Sequence, residues 1–155
     1  MSDEIRIRYA EKRDADILTE FNIAMARETE GKELPNEVVS AGVKALLNNR
    51  QMGFYVIAET GGLIAGSLMV TMEWSDWRNG LFWWIQSVYV KPQFRREGIF
   101  TELYGFLKSK VEKDPNVCGF RLYVERNNIP AQKAYEALRM EETHYKMYEE
   151  LLLGQ

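Results

Sequence analysis

The chain has 155 residues, which suits one domain, residues 1–155, whose fold would bury about 70% of the surface exposed in the unfolded chain, with no need of a disulfide or metal staple. With 46% hydrophobic and 28% charged residues, its composition is that of a globular protein. Twenty basic residues against 23 acidic ones leave a net charge of −3, without the clustered positive excess that a nucleic-acid partner demands.

One cysteine, Cys118, rules out an internal disulfide, and in the apolar run 117–122 it reads as a small buried hydrophobe. The lone His144 cannot anchor a His-rich site, so no metal is expected. The start, residues 1–8, is charged and lacks the apolar stretch of a signal peptide, and no apolar run approaches membrane length. A cytoplasmic protein without a membrane partner is expected.

Ile5, Ile7 and Tyr9 alternate with polar or small residues and predict a short strand. Asp14 offers an N-cap to a helix marked by Ile17, Leu18, Phe21 and Met25, which residues 31–35 break. Val38, Val39, Val43, Leu46 and Leu47 mark a second helix ending near Asn48 and Asn49. Strands follow over 54–59 and 63–73, joined by the turn signal Gly61-Gly62. A charged aromatic loop, 74–80, leads to a third strand over 81–90, apolar enough to be covered on both faces.

Pro92 stops that strand, and the loop 94–98 is basic. Ile99, Leu103, Phe106, Leu107 and Val111 then recur at helical spacing. A turn over 114–116, a strand over 119–125, a short helix over 130–138 and a last strand over 142–149 complete the pattern. Strand–helix–strand over 81–125 predicts a parallel pair, while the earlier hairpins predict antiparallel ones. The fold class is α/β (α+β), with a mixed sheet carrying helices on both faces.

The stretch 88–101 holds the chemistry. A strand end, Val88, Tyr89 and Val90, runs into Arg95, Arg96, Glu97 and Gly98, and a helix opens with Ile99, Phe100 and Thr101. The first N–H groups of a helix have no intrahelical acceptor, and its dipole adds positive charge. Such a terminus, flanked by two arginines, suits a phosphate or diphosphate.

This stretch resembles the acyl-CoA signature of the GNAT acyltransferases. Val88, Tyr89, Val90, Lys91 and Pro92 match the family's strand, and Arg95 with Gly98 matches its Arg/Gln-x-x-Gly loop. A second segment matches at the expected distance: Asn128 and Ala131, followed by Tyr135, Glu136 and Leu138, is similar to N-x-x-A-x-x-x-Y-E-x-L. The similarity covers nearly the whole chain. It implies a GNAT-like, largely antiparallel sheet and acetyl-CoA as cosubstrate, with no metal. The cofactor contacts it implies are Val88, Tyr89, Val90, residues 95–101, Asn128, Ala131 and Tyr135. Two positions depart from the pattern. Phe100 stands where the loop has a second small residue, and Arg139 stands where a glycine often ends the short helix. Phe100 can pack toward the core, while Arg139 would carry modest strain at positive φ.

The implied reaction is direct attack of an amine on the acetyl thioester. The Val88 N–H would stabilise the developing oxyanion, and the Tyr135 hydroxyl would protonate the leaving thiolate. Gln86 stands where many relatives have a base and cannot serve as one; Glu73 acting through water, or bulk water alone, would accept the proton. Asn128 can cap its helix, contact the cofactor arm, or do both. For the acceptor, Glu28 and Glu30 between the first helices, with Glu73, Trp74, Asp76 and Gln86, offer acidic and aromatic contacts suited to a small cationic amine or a peptide. A non-catalytic acyl-CoA-binding or regulatory module of the same fold is the alternative that Gln86 keeps open. A Rossmann nucleotide site lacks its early Gly-x-Gly-x-x-Gly. Exposed aromatics would suit a homodimer.

Overall fold

A computed structural model describes residues 4–152; the first three residues of the charged start lie outside it. In chain order the elements are β1 (Arg6–Tyr9), α1 (Ala15–Glu30), α2 (Asn36–Leu47), β2 (Gly53–Thr60), β3 (Leu63–Ser75), β4 (Gly80–Val90), α3 (Ile99–Val111), β5 (Val117–Arg121) and α4 (Ile129–Ala137). Two compact units divide after Tyr123. The first holds all five strands with α1, α2 and α3, and the second holds α4 and the segment after it.

The strands lie in sequence order, β1-β2-β3-β4-β5. The first three pairings are antiparallel, and β4–β5 is parallel. The mixed sheet expected from the alternating patterns is therefore present. Side chains alternate across it. Tyr9, Phe54 and Trp83 point to the side of α3, where their rings meet one another and Phe106 edge-on, with centroids 5.2–5.3 Å apart. Leu103 and Leu107 of α3 are wholly buried there, each contributing about 1.5–3 kcal/mol of burial. On the opposite face, Tyr55 and Ile57 of β2 pack with Leu18 of α1 and with Val43 and Leu46 of α2.

Asp14 takes the N-cap position of α1 but makes no cap bond. Its carboxylate instead receives a fork from Arg8, at 2.8 and 3.0 Å, and the backbone N–H of Glu11 at 2.7 Å. Only 4% of the Asp14 side chain is exposed, so the stronger claim of a half-buried guanidinium on its charge outweighs capping. Gly31 closes α1 in the left-handed conformation, φ 63°, and its N–H reaches back to Ala26 and Arg27.

Four expectations need correction. Residues 142–149 form no strand. They are exposed throughout, Tyr148 to 90%. The strand expected over 119–125 runs instead over Val117–Arg121 and stops where β4 ceases to pair with it. Cys118 is exposed rather than buried; it sits on the edge strand, where alternation turns it outward. The third strand is also only partly enclosed: Phe82, Trp83, Ile85 and Tyr89 are buried, while Trp84 and residues 86–88 are half-buried. Among the described residues no helix is long and apolar enough to cross a membrane.

Candidate acyl-CoA site

The end of β4 is irregular. Ser67 pairs with Tyr89 and Met69 with Gln86, so Ser87 and Val88 together face the single residue Leu68. This is a bulge, and Ser87 holds a left-handed φ of 52° within it. Such a conformation costs a non-glycine residue about 1–2 kcal/mol. The extra residue shifts the alternation by one, so Tyr89 points toward α1, where its ring lies 5.1 Å from Phe21. A bulged residue is left without a regular ladder partner, which suits the oxyanion role expected of the Val88 N–H.

The other edge of β4 is open as well. The β4–β5 ladder ends at Trp84 and Arg121, so residues 85–90 carry no ladder on that side among the described residues. The open edge leads to Lys91, whose N–H is fixed on the carbonyl of Ala65 at 2.8 Å. A turn over Pro92–Phe94 follows. Arg96 and Gly98 then adopt left-handed φ values of 67° and 79°, and α3 begins at Ile99. A Cβ on Gly98 would meet nothing within 4 Å, so the glycine is needed for its φ and not for space.

A shallow depression of about 170 Å³ lies here, lined by Arg95, Arg96, Gly98, Ile99, Phe100 and Thr101 among others. Glu97 is exposed beside it. Phe100 is half-buried and packs edge-on against the buried Tyr104 at 6.1 Å. Left-handed residues ahead of a helix start, with two arginines, fit a diphosphate: its oxygens want N–H donors and positive charge together.

Glu28, expected beside the acceptor, is paired with the end of β4 and the basic loop. One of its oxygens accepts from the Tyr89 hydroxyl at 3.0 Å and the other from Arg95 at 2.7 Å. The Arg95 bond, outweighing partial burial, holds the Glu28 carboxyl below its ordinary range, and the Tyr89 bond adds to this. Burial, then the Glu28 carboxylate, pushes the Tyr89 phenol up. Glu30, the other acidic group between the first helices, is ion-paired to Lys32 at 3.7 Å.

The sheet face shared with α1 and α2 brings the other candidates together. Register places Glu73 opposite Phe82, Thr71 opposite Trp84, and Met69 opposite Gln86. Glu73 Oε1 accepts from Trp84 Nε1 at 3.0 Å and from Arg121 at 2.7 Å. The Trp84 bond first, with the Arg121 bond beyond it, outweighs burial and holds the Glu73 carboxyl below its usual range. The Arg121 guanidinium lies 3.7 Å from the centre of the Phe82 ring. Gln86 donates to Thr71 at 2.6 Å. Trp74 and Asp76 stand exposed in the hairpin beyond, with Trp77 86% exposed. Sequence reading missed Arg121 and Phe82, because only the β4–β5 register shows that they neighbour Glu73.

In the second unit, the Asn128 side chain caps α4 by accepting from the Ala131 N–H at 3.3 Å. Burial pushes the Tyr135 phenol up. Arg139 ends the helix at φ 70°, carrying the strain that the missing glycine implied, while the next N–H, of Met140, reaches back to Tyr135.

Comparison with known proteins agrees with this geometry. The family profile of the acetyltransferase (GNAT) family matches residues 17–139. The crystal structure of a possible acetyltransferase from Clostridium difficile 630 is 48% identical; the alignment covers 96% of this chain and 98% of that one, with a TM-score of 0.89. A predicted acetyltransferase from Clostridium acetobutylicum, solved with acetyl-CoA, is 18% identical, with 95% and 96% covered and a TM-score of 0.76. An aminoglycoside N-acetyltransferase in complex with CoA is 16% identical, with 97% of each chain covered and a TM-score of 0.75. At such low identity, the last two speak for the fold alone. No curated protein sequence matches significantly. With a family profile spanning most of its length, the open edge of β4 and the basic loop at the start of α3, the chain belongs to the acetyltransferase (GNAT) family.

Proposed function

We propose that this protein transfers the acetyl group of acetyl-CoA to a primary amine of a small cationic molecule, by direct attack in a ternary complex. The observation that carries the reading is the open edge of β4 past its bulge, running directly into the basic loop at the start of α3. An extended chain ending in a diphosphate suits that sequence of surfaces. The edge offers backbone hydrogen bonds, and the loop offers N–H groups with positive charge.

Acetyl-CoA supplies the activated thioester. The Val88 N–H at the bulge would donate to the acetyl oxygen as charge builds on it. The amine lone pair forms the new C–N bond while the C–S bond breaks, and the amine proton passes to water. On the family pattern Tyr135 gives its hydroxyl proton to the sulfur. Burial raises its pKa, so the phenol is protonated at neutral pH and available as an acid. The reading gives Glu73 a binding task. A carboxylate held down by Trp84 and Arg121 stays ionised and is a weak proton acceptor, and beside aromatic faces it suits an ammonium group.

The test is a turnover screen with acetyl-CoA over polyamines, amino acids, aminoglycosides and peptides, read as free thiol and acetylated product. Turnover with a cationic small amine is expected. CoA binding with no turnover on any amine would favour the non-catalytic acyl-CoA-binding module. Preference for neutral or anionic acceptors would remove the cationic assignment and leave the acetyltransferase.

A further inference from the structure

The two adjacent arginines of the loop have different surroundings. Arg95 Nε donates to the carbonyl of Val90 at 2.9 Å, and Nη2 donates to Glu28 at 2.7 Å. Its guanidinium carbon lies 5.6 Å from the centre of the Tyr89 ring. Tyr89 in turn donates to the other oxygen of Glu28. Glu28, near the end of α1, is thus held by two donors and braces the arginine against the last residues of β4. Arg96 has no hydrogen bond or ion pair among the described residues; it is exposed, left-handed at φ 67°, and lines the depression.

We infer that Arg95 and Glu28 are positioning residues that brace the loop between α1 and the end of β4, and that Arg96 is the arginine that meets the cofactor's diphosphate. The inference rests on the reading of this loop as the acyl-CoA site. Its physical basis is charge and geometry. The positive charge of Arg95 is already balanced by Glu28, and two of its donor groups are committed, so it offers an anion little net attraction. The charge of Arg96 has no counter-ion within ion-pair distance among the described residues. The brace also explains the bulge upstream: only the shifted alternation turns Tyr89 toward α1, where its hydroxyl reaches Glu28.

The experiment is calorimetric titration of the full chain with CoA at two salt concentrations. The variants are Arg96→Gln, Arg95→Gln, Arg95→Lys, Glu28→Gln and the double Glu28→Gln/Arg95→Gln, with melting curves to verify folding. Arg96→Gln is expected to weaken CoA about tenfold or more and to flatten the salt dependence, as loss of a charge-assisted bond to an anion should. Arg95→Gln and Glu28→Gln are each expected to weaken it about threefold to fivefold, the scale of a half-exposed ion pair. Arg95→Lys should behave like Arg95→Gln, because it keeps the charge but loses the two-sided reach. The double variant should be no worse than the poorer single one, since both remove one brace, and it should keep the wild-type salt dependence.

Tighter CoA binding by Glu28→Gln, or a larger loss at Arg95 than at Arg96, would overturn the inference and make Glu28 a competitor for an anion-binding Arg95. Additive losses in the double variant, or no change in Glu28→Gln, would overturn it as well. Failure of the wild-type chain to bind CoA would bring down the reading of the loop itself, which separates the two failures.

Discussion

The proposed donor side and the proposed acceptor face of this protein are built in opposite ways. The donor side is contiguous: bulge, strand end, turn, loop and helix start follow one another over residues 87–101. The acceptor face is assembled from Thr71 and Glu73 on β3, Phe82, Trp84 and Gln86 on β4, and Arg121 on β5, and strand register alone makes them neighbours. The donor side therefore depends on backbone conformation, through left-handed Arg96 and Gly98 and the helix terminus. The acceptor face depends on paired side chains, and the one carboxylate at its centre is already matched by an arginine. A donor site made of backbone would tolerate a change of side chain such as Phe100, whereas an acceptor site made of side chains would change its preference with each substitution.

The largest expected effect tests the chemistry that both sides serve. Tyr135→Phe should lower kcat by about 10²–10⁴-fold, the range of a general acid, with CoA affinity within a few-fold of wild type. Steady-state kinetics and a CoA titration measure the two quantities; wild-type kcat, with chemistry shown to limit turnover, would return Tyr135 to a packing role.

The pair that ties the start of α1 to β1 should come next. Asp14→Asn leaves the Arg8 guanidinium without its principal partner and should cost about 3 kcal/mol, the lower end for breaking a buried pair. The sign of its pH dependence follows from its surroundings. Burial alone would raise the Asp14 pKa, but the Arg8 fork and the Glu11 N–H outweigh it and hold it below its unfolded value. Its contribution is therefore full above the unfolded pKa and is lost as pH falls through the folded one. Denaturant melts of wild type and variant should converge in acid. An equal gap at every pH would show that the pair is not the source.

Smaller effects separate the two regions. Glu73→Gln should raise KM for the best amine about tenfold, the scale of a hydrogen bond to a charged group, with acetyl-CoA affinity unchanged. Because the Glu73 carboxyl is held below its ordinary range, its loss should not move a limb of the kcat/KM profile near neutral pH. A limb that does move would make Glu73 a proton acceptor. Asp76→Asn, at an exposed hairpin residue, should change KM by about twofold at most, as expected where water screens the charge. Equal losses in the two variants would place the acceptor at the hairpin tip instead of on the sheet face.

Much of this architecture was legible in the sequence, and the legible parts share one property. The helix marked by Ile99, Leu103 and Leu107, the turn at Gly61 and Gly62, the loop before Gly98 and the strain at Arg139 are all statements about neighbours in the chain. Local backbone geometry and hydrophobic period determine the first three, the family resemblance supplied the last, and the structure has them where they were expected. What tertiary structure alone decided was pairing. The carboxylate of Asp14 left its cap for Arg8, Glu28 paired with Arg95, and Glu73 acquired Arg121. Cys118 turned outward on an edge strand, and residues 142–149 formed no strand. A charge or a strand takes its role from whichever partner the fold brings within a few ångströms, and that partner can lie 67 residues away in the chain, as Arg95 does from Glu28.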